Sequence, residues 1–272
     1  MLTESVGLLC KGMYEGKIPD VLTLTSLPTS SELDYVGSED FDKVMLEEIL
    51  PQAVQEKGID FYNLYTIDYH WVLRALRILN YGPYFTTNSL YCSDCGPSYG
   101  EYQVRLDAID CVPPPEGATA SVVIPKEEFF DVKSDVEMRL LTMRESINAN
   151  KDPLFKDKKG KQNTEFARVC YMISKLNNNS SMNVLEKKMY IENNFSSADF
   201  KILKDTAYSK MDYGLRAAGH ATCPKCKQLK ASFLALDDDR FFRPTLDDLR
   251  RWRDDRNSGR EKDVPASTSK NA

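Results

Sequence analysis

Cys92-Ser93-Asp94-Cys95-Gly96 and, roughly 130 residues later, Cys223-Pro224-Lys225-Cys226-Lys227 decide how this chain is read. Two thiolates at i and i+3 on a tight turn can face one cation, and two such turns supply the four soft ligands of a tetrahedral zinc site. Gly96 follows the second thiol of the first pair, where the backbone must turn with positive φ for amides to approach the sulfurs. The second pair encloses Pro224, whose φ is preset, and carries Lys227 where a glycine is usual. Cys92, Cys95, Cys223 and Cys226 are therefore the candidate ligands of a structural Zn2+. Four cysteines leave no open coordination position, so the site is structural before it is catalytic. A redox dithiol is the competing reading of one such pair, and it needs a strand-then-helix setting that neither pair has. His220, three residues before Cys223, is a candidate substitute ligand. The spacing does not say whether one ion is held within a chain or between two chains. Of the other cysteines, Cys170 falls in a helical apolar stripe and is expected in the core; Cys10 and Cys111 are expected to be inert.

The chain has 272 residues, enough for one substantial core or two small ones, and 42% of them are hydrophobic. Net charge is −5 with both signs interspersed, which argues against a dedicated nucleic-acid binder. Seven cysteines dominated by two pairs suit a reducing compartment with metal better than a disulfide framework. No apolar run of membrane-spanning length occurs. Met1 to Cys10, with Glu4 and no basic stretch before an apolar run, does not read as a signal peptide.

Around the cysteine pairs the pattern predicts an α+β fold: split zinc-ribbon-like β hairpins with a helical insertion between the halves. Residues 1–37 form an N-terminal arm, with alternation at Val21–Thr25 marking a short strand that is either a sheet edge or a partner-binding segment. Pro28 and Thr29-Ser30-Ser31 end it. Residues 38–112 hold helices and the first ribbon half. Ser38 is placed to cap a helix to about Leu50 that Pro51 stops or kinks. Asp68 is placed to cap Tyr69–Asn80, with an apolar stripe of Val72, Leu73, Leu76 and Leu79. Arg74 and Arg77 flank that stripe and read as a solvated helix face, with phosphate binding as the alternative. Extended stretches Tyr84–Tyr91 and Tyr102–Leu106 bracket the first cysteine pair.

Pro113-Pro114-Pro115 opens a mainly helical insertion, residues 113–217. It holds a strand at Ser121–Ile124, a helix from Val136 to about Asn148 and a lysine-rich loop at Lys151–Lys161 read as solvated linker. Asn163 caps a helix with core positions Phe166, Val169, Cys170, Ile173 and Leu176, ended by Asn177–Ser181. Val184–Glu192 is helical, and Ser196 or Ser197 caps a helix carrying Phe200, Leu203, Ala207 and Met211. Residues 218–244 are the second ribbon half, with a returning strand at Ala231–Leu236 and an aromatic anchor at Phe241-Phe242-Arg243-Pro244. Residues 245–257 form a charged helix capped by Thr245, its seam Leu246, Leu249 and Trp252 docking on its own core or on a partner. Residues 258–272 are a polar tail expected to be disordered.

Chemistry is thin by comparison. Two histidines, His70 and His220, give a Ser-His-Asp or Cys-His mechanism little to work with. No phosphate-binding Gly-rich loop ending in Lys-Ser/Thr and no His-Glu-x-x-His occurs. Asp237-Asp238-Asp239 reads as a solvated turn, although a magnesium-dependent hydrolase would need such acids to converge. Tyr91, Tyr99 and Tyr102 with Lys225, Lys227 and Lys230 frame the alternative of a zinc-ribbon nucleic-acid-binding protein.

The order of these pieces resembles a known family. After the arm come Trp71 to Tyr84, ending Arg-Ile-Leu-Asn-Tyr-Gly-Pro-Tyr, and the first Cys-x-x-Cys. A helical middle leads to Cys-Pro-x-Cys and Phe241-Phe242-Arg243-Pro244. Over roughly residues 20–244 this resembles the baseplate hub and hub-assembly proteins of contractile-tailed, T-even-like bacteriophages, most sharply at Ile78–Cys95 and Cys223–Pro244. Lys227 and the charged tail after Pro244 depart from the pattern. The resemblance implies a non-enzymatic structural or assembly protein whose partners are other baseplate and tail proteins. Its place would be the virion tail baseplate, or the host cytoplasm during assembly.

Overall fold

The computed structural model describes residues 2–28, 40–234 and 244–258. The Ser38 cap, the Thr29-Ser30-Ser31 break, the Phe241–Arg243 part of the aromatic anchor, the returning strand beyond Leu234 and residues 259–272 lie outside the described residues. The fold is mixed α+β, with seven helices and antiparallel sheets among the described residues. It divides into two compact units. One comprises residues 1–4, 73–111 and 215–272; the other comprises residues 5–72 and 112–214.

The larger unit begins with a two-stranded pairing of β1 (Thr3–Gly7) and β2 (Val21–Thr25), where Leu22 and Leu24 are fully buried. The arm's strand is thus spent on the protein's own core. Helix α1 runs Phe41–Val44, widens into a π turn at Met45–Ile49 and closes at Leu50–Ala53. Pro51, which has no N–H, bends the ladder but does not end it, and the widened turn just before it takes up the re-spacing.

Helix α2 spans Thr66–Tyr81, so Asp68 lies inside the first turn and is not its cap. Its fully buried carboxylate accepts from the backbone of Leu9 and Cys10 and from the Tyr14 hydroxyl at 2.6 Å. Burial pushes this carboxyl above its ordinary value, and the Tyr14 hydroxyl and the two amides pull against that. Asp68 therefore ties down an irregular segment 54 to 59 residues away, which no local pattern could announce.

The insertion contains a three-stranded antiparallel sheet, β6 (Ser121–Ile124), β7 (Val136–Arg139) and β8 (Ile173–Lys175), so it is less helical than the sequence implied. Val136 to Asn148 is not one helix. Val136, Met138 and Leu140 are buried alternately, the strand period, and α3 (Met143–Lys151) starts only after a capping box made by Thr142 and Glu145. Likewise α4 (Thr164–Met172) keeps its Asn163 cap and buries Val169 and Cys170, but ends before Ile173. Ile173 and Leu176 are buried from extended backbone, because Ile173 pairs with Met138 in the sheet. Helices α5 (Val184–Asn194) and α6 (Ser197–Lys210) follow as the pattern indicates.

The smaller unit is built on a five-stranded sheet of order β4-β3-β10-β9-β5: β3 (Tyr84–Cys92), β4 (Gly96–Arg105), β5 (Ile109–Val112), β9 (Gly214–Thr222) and β10 (Leu229–Leu234). Helix α7 (Leu246–Asn257) docks on β3 of this same unit. Its seam is not the apolar one expected. Leu246 is 70% exposed, whereas buried Asp248 accepts from Thr86 and Gln103, each at 2.9 Å. Burial alone would raise the Asp248 carboxyl, but the donors from Gln103, Thr245 and Thr86 outweigh it and hold it below its ordinary value. Trp252 does pack inward, its ring filling the place of the missing Cβ of Gly82, whose φ of +77° ends α2.

Arg74 and Arg77 do not form a solvated face. Arg77 is fully buried and donates to the carbonyls of Gly82 at 2.8 Å and Tyr84 at 2.9 Å; Arg74 donates to the Leu106 carbonyl at 3.1 Å. The planar guanidinium satisfies backbone exactly where the chain leaves the helix and enters β3, and a buried carbonyl without a donor is costly. Replacing Arg77→Met is expected to lower unfolding free energy by about 2–4 kcal/mol, with both carbonyls left without donors. Urea denaturation would check this, and a loss under 1 kcal/mol would show that the carbonyls find other donors.

Candidate metal centre

The hairpin β3–β4 turns at the first cysteine pair, with Cys92 opposite Gly96. The hairpin β9–β10 turns at the second. The two hairpins meet along β3 and β10, in register at Ala231↔Cys92 and Ser232↔Tyr91. That register sets Cys92 beside the second turn, and the four Sγ atoms of Cys92, Cys95, Cys223 and Cys226 come within 4.8 Å of one another. Cys92 and Cys223 are buried, while Cys95 and Cys226 are half-buried.

The distances discriminate between chemistries. Cys92 Sγ and Cys226 Sγ are 3.9 Å apart, far beyond a disulfide bond. A tetrahedron with metal–sulfur bonds of about 2.3 Å has edges of about 3.8 Å, so this spacing fits two thiolates on one zinc-sized ion. The thiols differ among themselves. Amides of Cys226 and Lys225 stabilise the Cys223 thiolate against burial and lower its pKa to about 7. Cys95 is pushed up to about 12, chiefly by the neighbouring Cys226 sulfur. A thiol ligates as the thiolate, so a cation bound here would displace protons from the cluster.

Both turns have the backbone that the sulfurs require. Gly96 has φ +71° and Lys227 has φ +60°, so lysine adopts in the second turn the left-handed conformation that glycine supplies in the first. The Lys227 amide donates to the Cys223 carbonyl at 2.9 Å, and the Cys223 amide to the Gln228 carbonyl at 2.8 Å. Side chains then cross between turns. Lys225 Nζ donates to the carbonyls of Cys95 and Pro97 at 3.3 and 3.0 Å, and Lys230 pairs with Asp94 at 2.9 Å. A divalent ion on four thiolates would carry net negative charge, and with Asp94 neutralising Lys230 it is Lys225 that would offset it.

His220 is not gathered into the cluster. Its Nε2 lies 2.8 Å from Asp110 Oδ2, an exposed pairing between β9 and β5. Cys10 and Cys170 are fully buried apart from the cluster; burial pushes both thiols up, Cys170 to about 12, which suits inert core residues. The crossing lysines were not foreseen as positioning groups, although Lys225 lies between two candidate ligands. No helix among the described residues is long and apolar enough to cross a membrane. Searches against family models, curated proteins and solved structures give no match to this chain.

The strained turn gives a paired test. Lys227→Gly is expected to raise stability by about 1 kcal/mol, because the left-handed backbone no longer opposes a Cβ. Gly96→Ala, whose added Cβ would meet nothing within 4 Å, is expected to lower it by about the same amount through backbone strain alone. Urea unfolding of the metal-replete protein reads both, and equal effects of the same sign would contradict the assigned turn conformations.

Proposed function

We propose that this chain is a non-enzymatic structural or assembly protein of a bacteriophage tail baseplate, in the hub region. It carries one structural zinc and acts through protein–protein contacts. The observation that carries the structural part is the convergence of four cysteines from two distant turns, a donor set that fills a tetrahedral zinc and leaves no position for substrate. The hub assignment rests on the order of motifs over roughly residues 20–244, from the N-terminal arm through both cysteine pairs to Phe241-Phe242-Arg243-Pro244. Cys92, Cys95, Cys223 and Cys226 would hold the ion, whose contribution is cross-linking; orientation falls to the amides of Cys226 and Lys225 and to the Lys225 and Lys230 side chains.

Elemental analysis is expected to give one zinc per chain in a monomer of 31.0 kDa, and none in Cys223→Ser, which loses cooperative unfolding. Zinc bound only in a dimer would place the ion between chains instead. For the biological role, deletion of the encoding gene should leave a phage producing no complete baseplates, restored by the chain supplied in trans. Normal plaque formation by the deletion phage would refute the tail assignment whatever the metal content.

One observation favours a second reading, a nucleic-acid-binding ribbon. Tyr91 and Tyr99 are 59% and 80% exposed, and cross-strand register puts them on one face beside the cysteine turns. Aromatic platforms of that kind stack bases. However, Lys225 and Lys230 are occupied within the ribbon, which leaves little charge for phosphates. Fluorescence anisotropy with labelled single-stranded DNA at 20 mM salt is expected to show no saturable binding; tight binding with a steep salt slope would reverse the ranking.

A further inference from the structure

In the larger unit, residues from five helices line a cleft of about 300 Å³. The cysteine cluster belongs to the smaller unit and has no part in it. Helical spacing brings the lining to one face of each element. Met143, Ser146 and Asn150 fall at i, i+3 and i+7 on α3, and Arg168 and Met172 at i and i+4 on α4, which packs against α3. The end of α6 adds Tyr208 and, just past it, Met211, while the first turns of α2 add His70.

Floor and rim differ in chemistry. The floor is thioether, since all three methionines are buried. On the rim, Arg168 is exposed and has no hydrogen bond or ion pair among the described residues. Glu165, the acid one turn before it, is taken by Lys204 at 3.2 Å. The side chains of Ser146, Asn150 and Tyr208 likewise hydrogen-bond to no described residue. Inward-reaching polar side chains elsewhere in this unit are spent on the chain's own backbone, as Asp68 and Asp199 are. Among the described residues one carboxylate lines the cleft, that of Asp42, and it accepts from the Tyr69 hydroxyl at 2.9 Å.

This lining selects a class of ligand. The planar fork of Arg168 matches a carboxylate, and a hydroxyl, an amide and a phenol are neutral donors beside it. A dianionic phosphate calls for a second fixed cation, and Lys204 is already paired. At about 30 Å³ each, the cleft admits on the order of ten non-hydrogen atoms. Thioethers adapt to an apolar body without demanding one shape. We propose that this cleft binds a small organic monocarboxylate, its head on Arg168 and its apolar body on Met143, Met172 and Met211. The proposal needs neither the zinc nor the tail assignment.

The test titrates octanoate into the full chain, with 1-octanol and octyl phosphate as the same body carrying no charge and a phosphate head. Isothermal calorimetry gives affinity, and methyl-labelled methionine spectra locate the site among nine methionines. Octanoate is expected to bind one to one with a Kd of about 1 mM or tighter. Shifts should be confined to Met143, Met172 and Met211. Arg168→Gln should weaken octanoate about tenfold or more while unfolding as wild type does, since the side chain makes no internal bond. Asp42→Asn, which removes the opposing charge, should tighten it by about threefold. Octanol bound as tightly as octanoate, or Arg168→Gln without effect, would reduce the cleft to an apolar crevice and sink the proposal. Tighter binding of octyl phosphate would overturn the carboxylate assignment. Shifts spread over the other methionines, or no saturation by about 10 mM, would show that no such site exists.

Discussion

The smaller unit depends on closing one very long loop. Its sheet is made from two hairpins that the chain visits on either side of the insertion, and among the described residues β3 and β10 are in register at two residue pairs. Bringing the ends of a loop of over a hundred residues together costs about 4–5 kcal/mol in chain entropy. Two ladder pairs do not offset that, since a net hydrogen bond contributes only about 1 kcal/mol. Structural zinc on four thiolates supplies an apparent 10–16 kcal/mol or so in small peptides, which exceeds the closure cost with room to spare. Under the zinc reading, the sulfur cluster is what makes a short seam sufficient, and the backbone strain at Lys227 is tolerable because the same ion holds both turns.

A second device recurs where no metal is near. Asp68, Asp199 and Asp248 are buried carboxylates that gather backbone or hydroxyl donors from remote segments, and Arg77 does the converse for carbonyls. Asp68, Asp199 and Arg77 each tie down a stretch that cannot satisfy its own polar groups, whereas Asp248 bonds side chains on the strands β3 and β4 beneath its helix. Isolated, such charges would be expensive to bury; fully bonded, they specify one arrangement of loop on helix. Asp68 and Asp199 do this in the larger unit, Arg77 and Asp248 in the smaller.

These charges mark the boundary of what the sequence makes legible. The cysteine turns were readable because metal-ligand spacing is local and the flanking Gly96 and Pro224 report turn geometry directly. The hairpin, the Asn163 and Thr245 caps and the stripe of α2 were readable for the same reason: their signals span a few residues. Asp68 looked like a helix cap, and Arg77 like a solvated residue, because composition near them is identical in either case. Only the partners, at Leu9 and Cys10 for one and at Gly82 and Tyr84 for the other, distinguish the roles. The strand at Val136–Arg139 was lost in a window where Met138, Leu141 and the charges around them fit a helical period nearly as well as period two. Pairing with β6 and β8 settled it, and that is information held by other segments.

The proposed contact role needs surfaces whose geometry persists. The ribbon end of the smaller unit exposes Tyr91 and Tyr99 beside a closed thiolate cluster, and the insertion exposes Phe130 above a buried carboxylate. In each case the side chain is in water while its backbone is over-determined by groups that could have been left simpler. Ordinary loops gain nothing from that arrangement, because a fixed exposed ring costs entropy and returns no folding energy. The return comes only on association, where a preformed anchor forfeits less freedom than a flexible one. Under the zinc reading, a coordinated metal and satisfied buried charges would be the same solution at two places, each converting polar chemistry into a stiff apolar projection. The proposed contact role rests on stiffness at both places, which the sulfur cluster would supply at one and the fully bonded Asp199 supplies at the other.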